Sequence, residues 1–148
     1  MSKYNSYILV AEDDEEDRML LEEALDEIKL ERNIQFVSNG QELIDFLHTT
    51  KTNKTKLPEL ILLDLNMPKK DGREALNEIK HISEFKKIPV IVLSTSTDKE
   101  DIEKIYNLGG NSFISKPNTY TSLIEIAKEI KRYWLELVRL PNLELNPN

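Results

Sequence analysis

Four short strand-like runs in this chain end on residues that can do chemistry. Tyr7 to Ala11 (YILVA) runs into Glu12 and Asp13, and Leu60 to Leu63 (LILL) into Asp64. Pro89 to Leu93 (PVIVL) runs into Ser94, and Ser112 to Ser115 (SFIS) into Lys116. Brought to one place, three carboxylates repel, and one takes a raised pKa unless a cation sits between them. A hard divalent cation with oxygen ligands resolves that repulsion, octahedral Mg²⁺ above all, with the Asn66 carbonyl as a further oxygen. A metal cage alone needs neither a lysine nor a hydroxyl. Those two suit a phosphoryl group, Lys116 as a point charge and Ser94 as a hydrogen-bond donor. The set describes phosphoryl transfer by positioning and charge neutralisation. Carboxylates are phosphoryl acceptors, and Asp64 is the central candidate for the nucleophile.

The stretch that fixes this geometry is Leu60 to Gly72, LILLDLNMPKKDG. Four apolar residues suit a strand buried on both faces of a sheet. The run stops at a carboxylate and passes at once into turn residues. In open parallel α/β sheets, ligands bind beyond the carboxyl ends of the strands, so Asp64 is aimed at that crevice. Around it the chain alternates. Glu15 to Leu30 carries Leu21, Ala24, Leu25 and Ile28 at helical spacing. Ile34 to Val37 reads as a strand, and Asn39 with Glu42 as a capping box before an amphipathic helix. Thr49 to Lys56 reads as a polar surface loop. Arg73 to Ile82 predicts a helix, as does the segment after Thr97, with Thr97 and Glu100 as its capping box and Ile102, Ile105 and Tyr106 on one side. Gly109-Gly110 ends it. A long last helix is expected from Tyr120 to Leu140, stopped by Pro141. Strands alternating with helices predict an α/β fold with a doubly wound parallel sheet. A flavodoxin-like (βα)5 order, 2-1-3-4-5, puts its switch point between the two strands that end in acids.

The 148 residues suit one domain, expected over residues 5–140 with a short tail at 141–148. The formal charge of -7 argues against a nucleic-acid surface. The absence of cysteine excludes disulfides and thiolate metal sites. No apolar stretch approaches the roughly 20 residues that span a bilayer, and the start lacks a signal-peptide core. A cytoplasmic protein is expected.

Taken together, VAEDD, LLDLNMPKKDG, VLSTS and FISKP, in this order and on these elements, resemble the receiver domain of two-component response regulators. The likeness spans about residues 5 to 135. It implies that Asp64 is phosphorylated from a histidine kinase, and that Glu12, Asp13, Asp64 and the Asn66 carbonyl hold Mg²⁺. It implies that Ser94 and Lys116 bind the phosphoryl group, that Lys116-Pro117 is a cis peptide, and that Phe113 occupies the aromatic switch position. Within the family the chain is most similar to small stand-alone regulators paired with bacterial and cyanobacterial phytochromes. The polar insertion before the third strand, KKDGREAL, VLSTS and YWLELVRLP carry that likeness. Two residues depart from the commoner pattern: Glu12 replaces an aspartate and Ser94 a threonine.

Other residues read more simply. Asp14 to Asp17 read as a solvated helix start favoured by the helix dipole. His48 and His81 have no ligand-spaced acid or cysteine and read as surface histidines. An aspartyl-phosphate phosphatase wants a general acid two residues after the nucleophile, where this chain has Asn66. No GxxxxGK or GxGxxG supports a nucleotide binder. The reading is therefore a non-enzymatic, phosphorylation-dependent binding module, with no output domain after Leu140. The last helix, about 31 Å long at 1.5 Å per residue, should overrun a sheet roughly 17 Å deep. Trp134 and Leu137 would then lie uncovered, with Ile124, Leu135 and Val138 beside them. That surface, and the family likeness, imply a homodimer over the fourth helix, fifth strand and fifth helix, with Trp134 and Leu135 near the contact.

Overall fold

Alternation along the strands sets the architecture. The computed structural model describes residues 6–141. Its strands are β1 (Tyr7–Ala11), β2 (Asn33–Val37), β3 (Leu60–Leu63), β4 (Val90–Ser94) and β5 (Ser112–Ser115). Between and after them lie α1 (Glu15–Glu27), α2 (Gly40–Thr52), α3 (Gly72–His81), α4 (Lys99–Asn107) and α5 (Tyr120–Ile130). Ile8, Val10, Leu60, Leu62 and Ile91 pack on one face with Leu21 and Leu25 of α1 and Leu123, Ala127 and Ile130 of α5. Their neighbours Leu9, Ala11, Ile61, Leu63, Val90 and Val92 pack on the other, against α2, α3 and Ile105 of α4. Both faces are apolar because both are covered. Every pairing is parallel and the strand order is β2-β1-β3-β4-β5, the expected doubly wound fold.

Register then delivers the strand ends to one place. Ala11 pairs with Leu63, so Glu12 and Asp64 emerge side by side, and the Asp64 N–H donates to the Ala11 carbonyl at 3.1 Å. Ser94 pairs with Ser115, and the Lys116 N–H donates to the Ser94 carbonyl at 2.8 Å. Two glycines clamp the loop after β3. A Cβ on Gly40 would meet the Lys70 carbonyl oxygen at 2.2 Å, and one on Gly72 the Asp64 carbonyl oxygen at 2.4 Å. Backbone this close to backbone leaves no room for a side chain.

Several local expectations are corrected. Helix α1 ends at Glu27, before Leu30, with Lys29 in the left-handed region at φ 55°. Helix α2 runs through Thr49 into the polar stretch as far as Thr52, because Thr50 is buried and returns its hydroxyl to the Phe46 carbonyl at 2.8 Å. Asp98, not Thr97, caps α4, accepting from the Glu100 N–H at 3.0 Å. A carboxylate one residue closer to the helix does the capping more strongly than the hydroxyl. Tyr106 faces outward. No cis peptide occurs among the described residues, so Lys116-Pro117 is trans. The last helix ends at Leu137, not Leu140: α5 passes into a π-helical segment, Lys131–Leu137, and Val138 is extended. A π turn bonds i to i+5, so after Ile130 the inward position falls on Leu135 as well as Trp134. Both pack partly buried against the α1/α5 core, while Leu137 is turned out and 62% exposed. The expected tail beyond Pro141 lies outside the described residues, as do residues 1–5.

Candidate functional site

Each chemical residue is placed by the end of an apolar strand, and the site follows from those ends. Glu12, one residue past β1, is buried, its backbone N–H donating to the Val37 carbonyl at 3.0 Å. Asp13 beside it is exposed, and Asp14 caps α1 by accepting from the Asp17 N–H at 2.9 Å. Asp64 is buried at the end of β3 and accepts from the Asn66 backbone N–H. Carboxylate oxygens of Glu12, Asp13 and Asp64 all lie within 4.8 Å of one another. The predicted acidic trio is thus brought together.

Lys116 reaches the trio from the end of β5. Its Nζ stands 2.5 Å from Glu12 Oε1, 3.0 Å from Asp17 Oδ2 and 3.8 Å from Asp64 Oδ1. Ser94 is fully buried at the end of β4, its Oγ accepting from the Ser96 N–H at 3.2 Å. It accepts there, so its own proton is left to donate. Phe113 on β5 is partly buried against the α2–α4 core, and its N–H, on the free edge of the sheet, donates to the Tyr106 hydroxyl at 3.1 Å. His48 and His81 are exposed and apart from the site: His48 edges the Phe85 ring, and His81 Nδ1 meets the Asn77 carbonyl at 2.7 Å.

Electrostatics follow from crowding and burial. Burial and then the neighbouring Asp64 charge push the Glu12 carboxyl up to about 7, against the pull of Lys116. Burial likewise raises Asp64, against Lys116 and the Asn66 N–H. Burial works against the Lys116 charge, yet Glu12, Asp64 and Asp17 outweigh it and hold the ammonium above its usual range. Two buried carboxylates that resist ionisation beside an exposed third are an oxygen-donor set short of positive charge, which is what a hard divalent cation supplies. The residues fit such an ion.

Two features escaped the sequence. Asp17 reads as a helix-start acid, yet from the first turn of α1 it pairs with Lys116. Its only signal is its place on the turn immediately after the strand-end acids. The second is a chain from the β4–α4 loop to α3: the Ser96 hydroxyl donates to Asp101 Oδ2 at 2.8 Å, and Arg73 holds Asp101 Oδ1 at 2.8 Å. Nothing in linear spacing joins residues 73, 96 and 101.

Comparison with known proteins agrees with this geometry. The family model of the response regulator receiver domain matches residues 8–128. Response regulator Rcp1 of Synechocystis sp. is 38% identical over 135 residues, covering 90% of this chain and 92% of that protein. The probable methanogenesis regulatory protein FilR2 of Methanothrix harundinacea is 36% identical over 134 residues, covering 90% and 86%. Among solved structures, the phosphorylated cyanobacterial phytochrome response regulator RcpA superposes with a TM-score of 0.86 at 40% identity, covering 93% of this chain and 99% of that one. The Mn²⁺-bound form of Rcp1 gives 0.83 at 37% identity, covering 92% and 99%. The chain belongs to the response regulator receiver family, two-component signalling proteins that take a phosphoryl group from histidine kinases.

Proposed function

We propose that Asp64 is the phosphoryl acceptor. The observation that carries this is the gathering of three carboxylates and one ammonium at the aligned ends of β1, β3 and β5. A carboxylate oxygen of Asp64 attacks phosphorus, and the P–N bond of a kinase phosphohistidine breaks as the acyl phosphate forms. The Asn66 N–H holds the Asp64 carboxylate in place. Lys116, within 3.8 Å of Asp64, neutralises the oxygens that arrive there. Ser94 supplies its free hydroxyl proton to one of them, and the β4–α4 loop follows. Glu12, Asp13, Asp64 and the Asn66 carbonyl would hold Mg²⁺, which when bound offsets negative charge on the carboxylates and the phosphoryl oxygens. Phe113 then acts as the switch aromatic, rearranging as Ser94 moves. Incubation with Mg²⁺ and acetyl phosphate should add one phosphoryl group by intact mass. Hydroxylamine should remove it, and a chelator or Asp64→Asn should prevent it; normal labelling of Asp64→Asn would sink the assignment.

The kinase is a phytochrome-type sensor, the setting is cytoplasmic, the receiver occupies residues 5–140 as one domain, and the output is a protein contact without catalysis by this chain. The likeness to RcpA, a cyanobacterial phytochrome response regulator, supports the first of these. Among the described residues no helix is long and apolar enough to cross a membrane. The chain pairs with a second copy over α4, β5 and α5. β5 is the sheet's free edge on that side, and Tyr106 (50%), Tyr133 (45%) and Leu137 (62%) stand out from neighbouring elements. The contact is centred on these rather than on Trp134 and Leu135, which the chain itself partly covers. Light scattering should give twice the chain mass, and Leu137→Lys with Tyr106→Lys should halve it; a monomer with and without beryllofluoride would contradict the pairing.

A further inference from the structure

Lys116 has one partner that belongs to neither the acceptor nor the acidic trio. Asp17 lies 3.0 Å from Nζ, on the first turn of α1, its side chain 45% exposed. Glu12 and Asp64 share the trio with Asp13, so a divalent cation at the trio competes with Lys116 for both. Asp17 is left with no rival for the ammonium. The direction of its pull matters: Nζ is closer to Asp17 than to Asp64, at 3.0 Å against 3.8 Å. A phosphoryl group on Asp64 needs the ammonium on the Asp64 side. We propose, building on Asp64 as the acceptor, that Asp17 is a positioning residue that competes for Lys116. It draws the ammonium toward α1 in the resting protein and weakens the grip of the site on a phosphoryl group. The cleft of about 130 Å³ between α1 and the start of α5 opens at this pair, walled by Leu20, Leu21, Pro117, Tyr120 and Leu123. Asp17 therefore acts where the ammonium meets solvent, and its hold is that of a partly exposed ion pair.

The test is a beryllofluoride titration with Mg²⁺, followed by backbone NMR. Asp17→Asn keeps the shape, removes the charge, and should tighten beryllofluoride about two- to fivefold, the span of a solvent-accessible pair. Asp17→Glu should restore the original affinity. Glu16→Gln, an exposed acid on the same turn, should leave it unchanged and so separates the contact from a general change of charge. In a Lys116→Gln background Asp17→Asn should have no effect. In the metal-free protein Asp17→Asn should also shift the nitrogen resonance of the Lys116 ammonium. Unchanged or weaker binding in Asp17→Asn, an equal gain in Glu16→Gln, persistence of the gain without Lys116, or an unmoved Lys116 resonance would each overturn the proposal. Wild-type protein that fails to bind beryllofluoride would count against Asp64 as the acceptor. The metal-free resonance would still judge Asp17 by itself.

Discussion

Two partly buried lysines in this fold meet opposite fates. Lys116 ends among carboxylates, Glu12, Asp17 and Asp64, and keeps its charge more firmly than a free lysine. Lys80, on α3, ends among neutral acceptors: the carbonyls of Lys86 at 2.9 Å and Ile88 at 2.8 Å, and Asn111 Oδ1 at 3.3 Å. Burial lowers its pKa to about 8. Depth does not separate them; the charge of what they touch does. Lys80 ties the α3–β4 loop to the α4–β5 turn, where Asn111 also accepts the Val90 N–H at 2.9 Å. Its work is structural. Lys116 balances a site that carries excess negative charge, the kind of perturbed, coupled cluster that gathers at functional sites.

Removing each lysine should break the symmetry most plainly. Lys116→Met leaves buried Glu12 and Asp64 without their cation and should cost about 3 kcal/mol in metal-free urea unfolding. Added Mg²⁺ should return much of that loss. Lys80→Met leaves neutral carbonyls unpaired and should cost about 1–2 kcal/mol, with no rescue by Mg²⁺. Beryllofluoride with Mg²⁺ should shift the amides of Ser94 to Thr97 and Phe113 in Lys80→Met as in wild type, and leave them unmoved in Lys116→Met. Equal rescue of both variants by the metal would erase the distinction.

The pH dependence sharpens it. Lys80 keeps its proton only to about 8 in the folded chain, against 10.5 in the unfolded one. Between those values the unfolded state binds more protons, so stability should rise with pH, by on the order of 3 kcal/mol. Lys80→Met should flatten that rise. Glu12 behaves in the opposite sense, its carboxyl going from 4.5 to about 7 on folding. There the folded state binds more protons, so metal-free stability should fall as pH climbs through that window, and Mg²⁺ should level it. A metal-free stability that rises steadily from 4.5 to 7 would contradict the crowding described for Glu12.

The smallest effect belongs to lysines at the surface. Lys128 meets Glu125 at 3.3 Å with both side chains more than half exposed, at 57% and 65%. Lys128→Ala should change stability by no more than about 0.5 kcal/mol, and salt should remove the difference. A loss near that of Lys116→Met would mean that exposure does not weaken such pairs here.

Much of this was legible in sequence because strands buried on both faces announce themselves. LILL before Asp64 and YILVA before Glu12 locate the sheet, and acids at their ends locate the crevice, without any knowledge of packing. What escaped depends on distances across the chain. The pairing of Asp17 with Lys116 spans 99 positions, and only parallel register brings them together. At the last helix, a π turn changes the periodicity after Ile130, so Leu137 is exposed as its place at the overrunning end suggests, but Trp134 and Leu135 are turned partly into the core. The cap of α4 went to Asp98 rather than Thr97 because, of two adjacent cap residues, the carboxylate nearer the helix is the stronger.

The account turns on Asp64 alone taking the phosphoryl group, and borohydride reduction of the acyl phosphate tests that most directly. The reaction reduces the activated carboxyl of a phosphorylated aspartate to the alcohol of homoserine, releasing phosphate, and peptide mass spectrometry places the homoserine in the sequence. After incubation with Mg²⁺ and acetyl phosphate, homoserine should appear at position 64 and at no other aspartate. Homoserine at Asp13, or a protein that takes up no phosphoryl group at all, would contradict it.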